Sequence, residues 1–162
     1  MVDARSRSRT PPREGAGDRA TIDGMDAIEY EHIRQLLGRY NLAIDLGDAE
    51  GWASTFTADG VFRCTGLPEG SPLGGRYQGT DELVAYAKVH YGIAKGRARH
   101  WNANLVIDGD GETATMRCYL LALTAGGGKL AGTTGIYEDR LRKVDGQWRF
   151  VERHIAIDDG TR

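Results

Sequence analysis

A chain of 162 residues, 40% of them hydrophobic and 27% charged, is long enough for one domain with a sizeable core and has the balance of an ordinary water-soluble protein. Its net charge of −2 argues against a nucleic-acid binder, which needs a basic stripe to neutralise phosphates. No apolar run approaches the ~20 residues that a membrane-spanning helix needs.

Cys64 and Cys118 are the only cysteines, and with no secretion signal they read as free thiols in a reducing cytoplasm. Neither has a second Cys or a His at ligand spacing, and the four His residues are scattered, so no metal is expected.

Residues 1–25 differ from everything after them. Arg5, Arg7, Arg9 and Arg13 alternate with Ser, Thr, Pro and Gly, and Val2 and Ala4 are almost the only apolar side chains before Ile22. Such a stretch cannot offset its ordering entropy by burial, which predicts a disordered tail ahead of a domain over residues 26–158 and a short end, 159–162.

Ile33, Leu37, Tyr40 and Ile44 recur at three- and four-residue steps and predict an amphipathic helix over residues 28–45. Gly47 stops it, and Asp48 caps a second, short helix running to Phe56. The turn Ala58-Asp59-Gly60 leads into a strand, Val61-Phe62-Arg63-Cys64. Residues 66–79, with five Gly and two Pro, are expected to be a loop. Thr80 is expected to cap a third helix, with Leu83, Val84, Ala87 and Tyr91 on its buried side. Four long β-compatible runs follow: 99–108, 113–125, 129–143 and 147–157. Their short Gly/Asp connections, among them the glycines at 126–128, predict an antiparallel meander. Helices first and strands last give an α+β class: a curved antiparallel sheet wrapped round the N-terminal helices as a cone-shaped α+β barrel. A pocket is expected between the concave face and the first helix.

Asp45 stands near the C-terminal end of helix one, where the macrodipole disfavours a carboxylate, about 100° round from the buried Ile44. It is either a solvated edge residue or one held for a purpose. His100 shares a strand face with Asn102 and Asn104, while Trp101, Ala103, Leu105 and Ile107 take the other. If the polar face looks inward it lines a pocket, and if outward His100 is a surface histidine. A carboxylate that reached this imidazole would make a general base working near neutral pH. Tyr40 and Tyr137 read as core or as pocket phenols. Cys118 reads as a small hydrophobe of the pocket wall. Continuing the phase of Trp148 and Phe150 points Glu152 and His154 inward, unless a bulge or exposure intervenes. The glycines make no phosphate-binding loop, and no nucleophile elbow occurs.

Arg39-Tyr40, Ala43-Ile44-Asp45, Gly47-Asp48, Trp52, Phe56 and Thr57-Ala58-Asp59-Gly60-Val61-Phe62 together resemble the opening of SnoaL-like domains of the nuclear-transport-factor-2-like superfamily. The likeness continues through Tyr77-Gln78-Gly79, the His100 strand, Tyr137-Glu138-Asp139 and Asp145-Gly146-Gln147-Trp148-Arg149. The branch that it most resembles contains scytalone dehydratase, bile-acid 7α-dehydratase and hexachlorocyclohexane dehydrochlorinase. The resemblance implies an Asp–His dyad inside the cone, matching Asp45 and His100, with Tyr40 matching a Tyr five residues before the Asp. A second His of scytalone dehydratase has no match, for that neighbourhood holds Arg117 and Cys118.

The expected activity is that of a cofactor-free lyase or isomerase, dehydratase-like, acting on a hydrophobic small molecule. Asp45, His100 and Tyr40 are its expected catalytic residues, and Tyr137, Asn102, Cys118, His154 and Trp52 are expected to bind substrate. The alternative is a non-catalytic binding or assembly module of the same fold. Trp101, Leu105 and Ile107 suggest a homo-oligomeric contact, trimer or dimer.

Overall fold

The computed structural model describes residues 21–22, 25–126 and 129–158. Residues 1–20 and 23–24 of the expected tail at 1–25, the glycines at 127–128 in the expected hairpin turn and residues 159–162 lie outside the described residues.

In chain order the elements are β1 (Thr21–Ile22), β2 (Met25–Asp26), α1 (Ala27–Leu46), α2 (Ala49–Ala53), β3 (Phe56–Thr65), β4 (Gly75–Gln78), α3 (Gly79–Ala94), β5 (Ala98–Gly109), β6 (Thr113–Gly126), β7 (Lys129–Val144) and β8 (Gln147–Ile157). The first two strands pair with each other, and Met25, assigned by composition to the tail, is buried in the core.

The other six form one sheet in the order β4-β3-β8-β7-β6-β5, which stays open at both edges among the described residues. Strands β5 to β8 are the expected meander, and Asp145 and Gly146, both at positive φ, make its tight two-residue turn. The sheet is not wholly antiparallel, because β3 runs parallel to β8. The expected loop at 66–79 contains β4, a four-residue edge strand on β3 hidden by its Gly/Pro-rich surroundings.

Three irregularities bend the sheet round the helices. Residues 57–60 of β3 stand opposite the step from Phe150 to Glu152 in β8. In β5, Asn104 at φ +57° and Leu105 together face Cys118. In β8, Val151 is an extra residue against the consecutive pair Arg140 and Leu141 of β7. Each extra residue reverses which side chains face inward beyond it.

Helix α1 is capped by Asp26, whose side chain accepts the Ile28 N–H at 2.9 Å. It ends at Gly47, φ +82°, where an added side chain would meet the Tyr91 ring at 2.8 Å. Its buried row of Ile33, Leu37, Tyr40 and Ile44 faces the sheet. Helix α3 begins one residue before Thr80, and no side chain caps it. Glu82 instead accepts the Gln78 N–H at 2.8 Å. Its buried residues are Leu83, Tyr86 and Ala87, whereas Tyr91 is largely exposed.

Candidate active site

Asp45 is buried because α1 presents it toward the start of β5. Its Oδ2 accepts the His100 backbone N–H at 2.9 Å, and its Oδ1 lies 2.5 Å from His100 Nδ1. Two donors from one residue offset the unfavourable placement of a carboxylate at a helix C-terminus. With Nδ1 donating to the carboxylate, the neutral ring carries its lone pair on Nε2. The His100 side chain is only 12% exposed and lines an apolar cavity of about 240 Å³.

The cavity is bounded by α1, α3 and the inner face of the sheet, through side chains such as Ile44, Phe62, Leu120 and Ile155. No Lys, Arg, Asp or Glu is among the described residues lining it. Tyr40 and Tyr137 line it too. Burial pushes both phenols up, Tyr137 to about 12, so they stay protonated.

Behind the phenols lies Arg153, fully buried, its guanidinium 3.8 Å from the Tyr137 ring centre and 4.4 Å from that of Tyr40. It is paired with Asp139 at 2.9 Å, and neither side chain is exposed. Sequence reasoning missed this pair because it continued the phase of Phe150 past Val151.

That bulge also corrects His154. It turns outward, where its ring meets the Thr65 hydroxyl at 2.9 Å and Arg63 at 3.4 Å, and does not line the cavity. Three other expected pocket residues lie elsewhere. Trp52 is fully buried in an aromatic cluster, its ring 5.3 Å from Tyr40 and 5.5 Å from Tyr86, and serves the core. Asn102 accepts a bond from the Asn41 amide at 2.9 Å and donates to the Tyr119 carbonyl at 3.2 Å, which ties α1 to the sheet one turn before Asp45. Cys118, paired across the ladder with Tyr137, is buried outside the cavity, and burial pushes its thiol up to about 11. Cys64 lines the cavity instead, and its thiol is likewise pushed to about 11 by burial. Neither is a ready nucleophile.

His90, on α3, also lines the cavity, its ring 5.3 Å from that of His100. The row Leu83, Tyr86, Ala87, His90 carries the helical spacing that would have found it. No group of three or more His, Cys, Asp or Glu side chains suited to a metal occurs among the described residues. No helix among them is long and apolar enough to cross a membrane.

A curved, open sheet folded over N-terminal helices, with a polar pair set in an apolar cavity, defines an NTF2-like α+β protein. The family model of the SnoaL-like domain matches residues 25–154, and the chain belongs to that family. Among solved structures it is similar to a variant of Rv3472, a Mycobacterium tuberculosis protein of unknown function. That match has 36% identity and a TM-score of 0.72, and covers 81% of this chain and 72% of the other. It is similar to a candidate scytalone dehydratase of Novosphingobium aromaticivorans, at 26% identity and a TM-score of 0.64, with 81% and 85% covered. An NTF2-like protein of the same organism shares the fold at 24% identity and a TM-score of 0.72, with 83% and 84% covered. No curated protein matches the chain.

Proposed function

We propose that the chain is a cofactor-independent lyase or isomerase of the dehydratase type. In this reading His100, oriented by Asp45, abstracts a carbon-bound proton from an uncharged, hydrophobic small molecule. The observation that carries it is the Asp45–His100 pair at 2.5 Å on the wall of an apolar cavity. Asp45 occupies the Nδ1 edge, so Nε2 is the ring nitrogen available to a substrate. A volume of about 240 Å³ suits one ring or two fused rings. Absence of a charged side chain among the described residues of the lining favours a neutral molecule. The likeness to a candidate scytalone dehydratase points the same way.

For a β-hydroxy ketone the step balances as follows. Nε2 of His100 takes the proton from the carbon between the carbonyl and the hydroxyl-bearing carbon. The C–H electron pair becomes the new C=C bond, the C–O bond breaks, and the departing hydroxide takes the proton back to leave as water. A protonated phenol of the cavity wall, Tyr40 or Tyr137, donates to the oxygen that gains charge. Isomerisation uses the same parts without loss of the hydroxyl.

The test is twofold: α-deuterium exchange of 1-indanone in D₂O, followed by NMR, and dehydration of 3-hydroxy-1-indanone, followed by absorbance. His100→Ala and Asp45→Asn are each expected to lower both rates by about 10² to 10⁴ with the fold intact. Unchanged rates in both variants, or no wild-type rate above solvent, would overturn the reading.

A second element of the proposal concerns assembly. Beyond the β5 bulge Ile107 turns into the core, so it does not join Trp101 on the outer face. Trp101, Val106, Tyr119 and Leu121 are exposed there instead. We assign this row to contact with a second copy of the chain. Light scattering of Trp101→Arg should then report a smaller particle than the wild type, and equal masses would exclude this face. Two free thiols, Cys64 and Cys118, accord with a cytoplasmic location.

A further inference from the structure

Helix α3 sets Leu83, Tyr86, Ala87 and His90 at three- and four-residue steps. The first three carry the helix onto the core, and His90 continues their row one turn further, at the cavity. Its ring stands 5.3 Å from that of His100, the planes tilted by 47°, and 6.4 Å from that of Tyr86. Nδ1 of His90 is buried and makes no hydrogen bond among the described residues. Asp45, whose charge also acts on His90, is already engaged by both donors of His100.

We propose that His90 is a second substrate-contacting imidazole, donating a hydrogen bond from Nε2 to the oxygen beside the carbon that His100 deprotonates. The inference rests on the reading of His100 as the base and extends it to what holds the substrate's oxygen.

The tautomer follows from the surroundings. A neutral imidazole has one N–H and one lone pair. A buried N–H without an acceptor is the costlier orphan, so the closed-off Nδ1 keeps the lone pair and Nε2 keeps the proton. The ring lines the cavity while Nδ1 is shut away, which leaves the other edge to meet a ligand. Burial, with the adjacent His100 as second cause, pushes His90 down to about 4, and the more distant pull of Asp45 does not reverse it. His90 is therefore a neutral donor at neutral pH. This suits its place, because a cation there would repel the proton that His100 must accept. A carbonyl or hydroxyl oxygen fits such a donor, and a ligand with nothing to accept the bond would leave the N–H unpaired.

The matched pair 1-indanone and indane isolates that oxygen, being the same bicycle with and without a carbonyl. Dissociation constants from NMR titration should show 1-indanone binding weakened about tenfold by His90→Leu, with indane changed less than threefold. His90→Gln, which restores a neutral N–H donor, should bring 1-indanone back to within about threefold. In ¹⁵N spectra of histidine-labelled wild type, His90 should carry its proton on Nε2 and stay neutral from pH 5 to 8. Equal losses for both ligands would reduce His90 to a shape-filling residue and overturn the proposal. So would unchanged 1-indanone binding, no wild-type binding of 1-indanone, or a proton on Nδ1. Failure of the base reading is seen separately, as α-deuterium exchange that survives in both His100→Ala and Asp45→Asn.

Discussion

Arg153 and Asp139 form an ion pair with no exposure on either side chain, directly behind the two phenols of the cavity. The pair is incompletely bonded, because Asp139 Oδ1 and Arg153 Nε and Nη2 find no partner among the described residues. The stacked aromatic faces of Tyr40, Tyr137 and Phe150 supply part of the solvation that water would give the cation. Removing one charge strands the other, so Arg153→Met and Asp139→Asn should each destabilise the fold by about 3 to 5 kcal/mol. The double variant should cost clearly less than the sum. Urea unfolding of the four proteins measures this, and strict additivity would mean that the charges do not depend on one another.

Tyr40 and Tyr137 both present protonated phenols to the cavity. Tyr40→Phe and Tyr137→Phe each remove a hydroxyl that can donate to a substrate oxygen, and the variant that loses the donor should lower the exchange rate of 1-indanone by about 10². The larger loss identifies the donor, and unchanged rates in both variants would remove the phenols from the mechanism.

Asn102 holds α1 against β5 one turn before the carboxylate, so its influence on His100 is positional. Asn102→Leu should lower kcat by about tenfold with KM changed less than twofold, because a slight displacement of Asp45 misaligns the base. A pure KM effect would place Asn102 in the binding surface after all.

His90 links stability to pH. Its folded value of about 4 lies below the ordinary 6.5, so between these limits the unfolded chain takes up a proton that the folded chain refuses. Stability present above pH 6.5 is thus lost as the pH falls toward 4, by up to about 3 kcal/mol. Between pH 7 and pH 4.5 the wild type should lose about 2 kcal/mol more than His90→Gln in urea unfolding. Equal losses would show that His90 titrates alike in both states.

Period and punctuation carried the fold a long way. The four strands of the meander begin and end within a residue or so of their expected limits, because long alternating runs between Gly/Asp turns leave little freedom. The short β4 stayed hidden because an edge strand needs few apolar residues and tolerates glycine. Asp45 and His100 were legible as a pair only through the family pattern, since nothing local in either segment fixes a contact across 55 residues. The misplacements of His154 and Ile107 share one cause. Alternation predicts a face only while the ladder stays in register; in β5 a lone Asn104, of a residue type that tolerates positive φ, is the sole mark of the extra residue, and nothing at Val151 announces the one in β8. His90 was overlooked for a different reason: the apolar row of α3 was traced to Tyr91, one position away.

The extra residue in β8 works like a frame shift in a text that can be read in two frames. In the frame the fold uses, Arg153, Ile155 and Ile157 are delivered to the interior. In the other, Glu152, His154 and Ala156 would be. The same eleven-residue strand therefore encodes two different cavity walls, one cationic behind its phenols and one carrying an acid and an imidazole. Val151 selects between them, so a single insertion or deletion there would exchange one wall of the pocket for the other without substituting any residue of either wall.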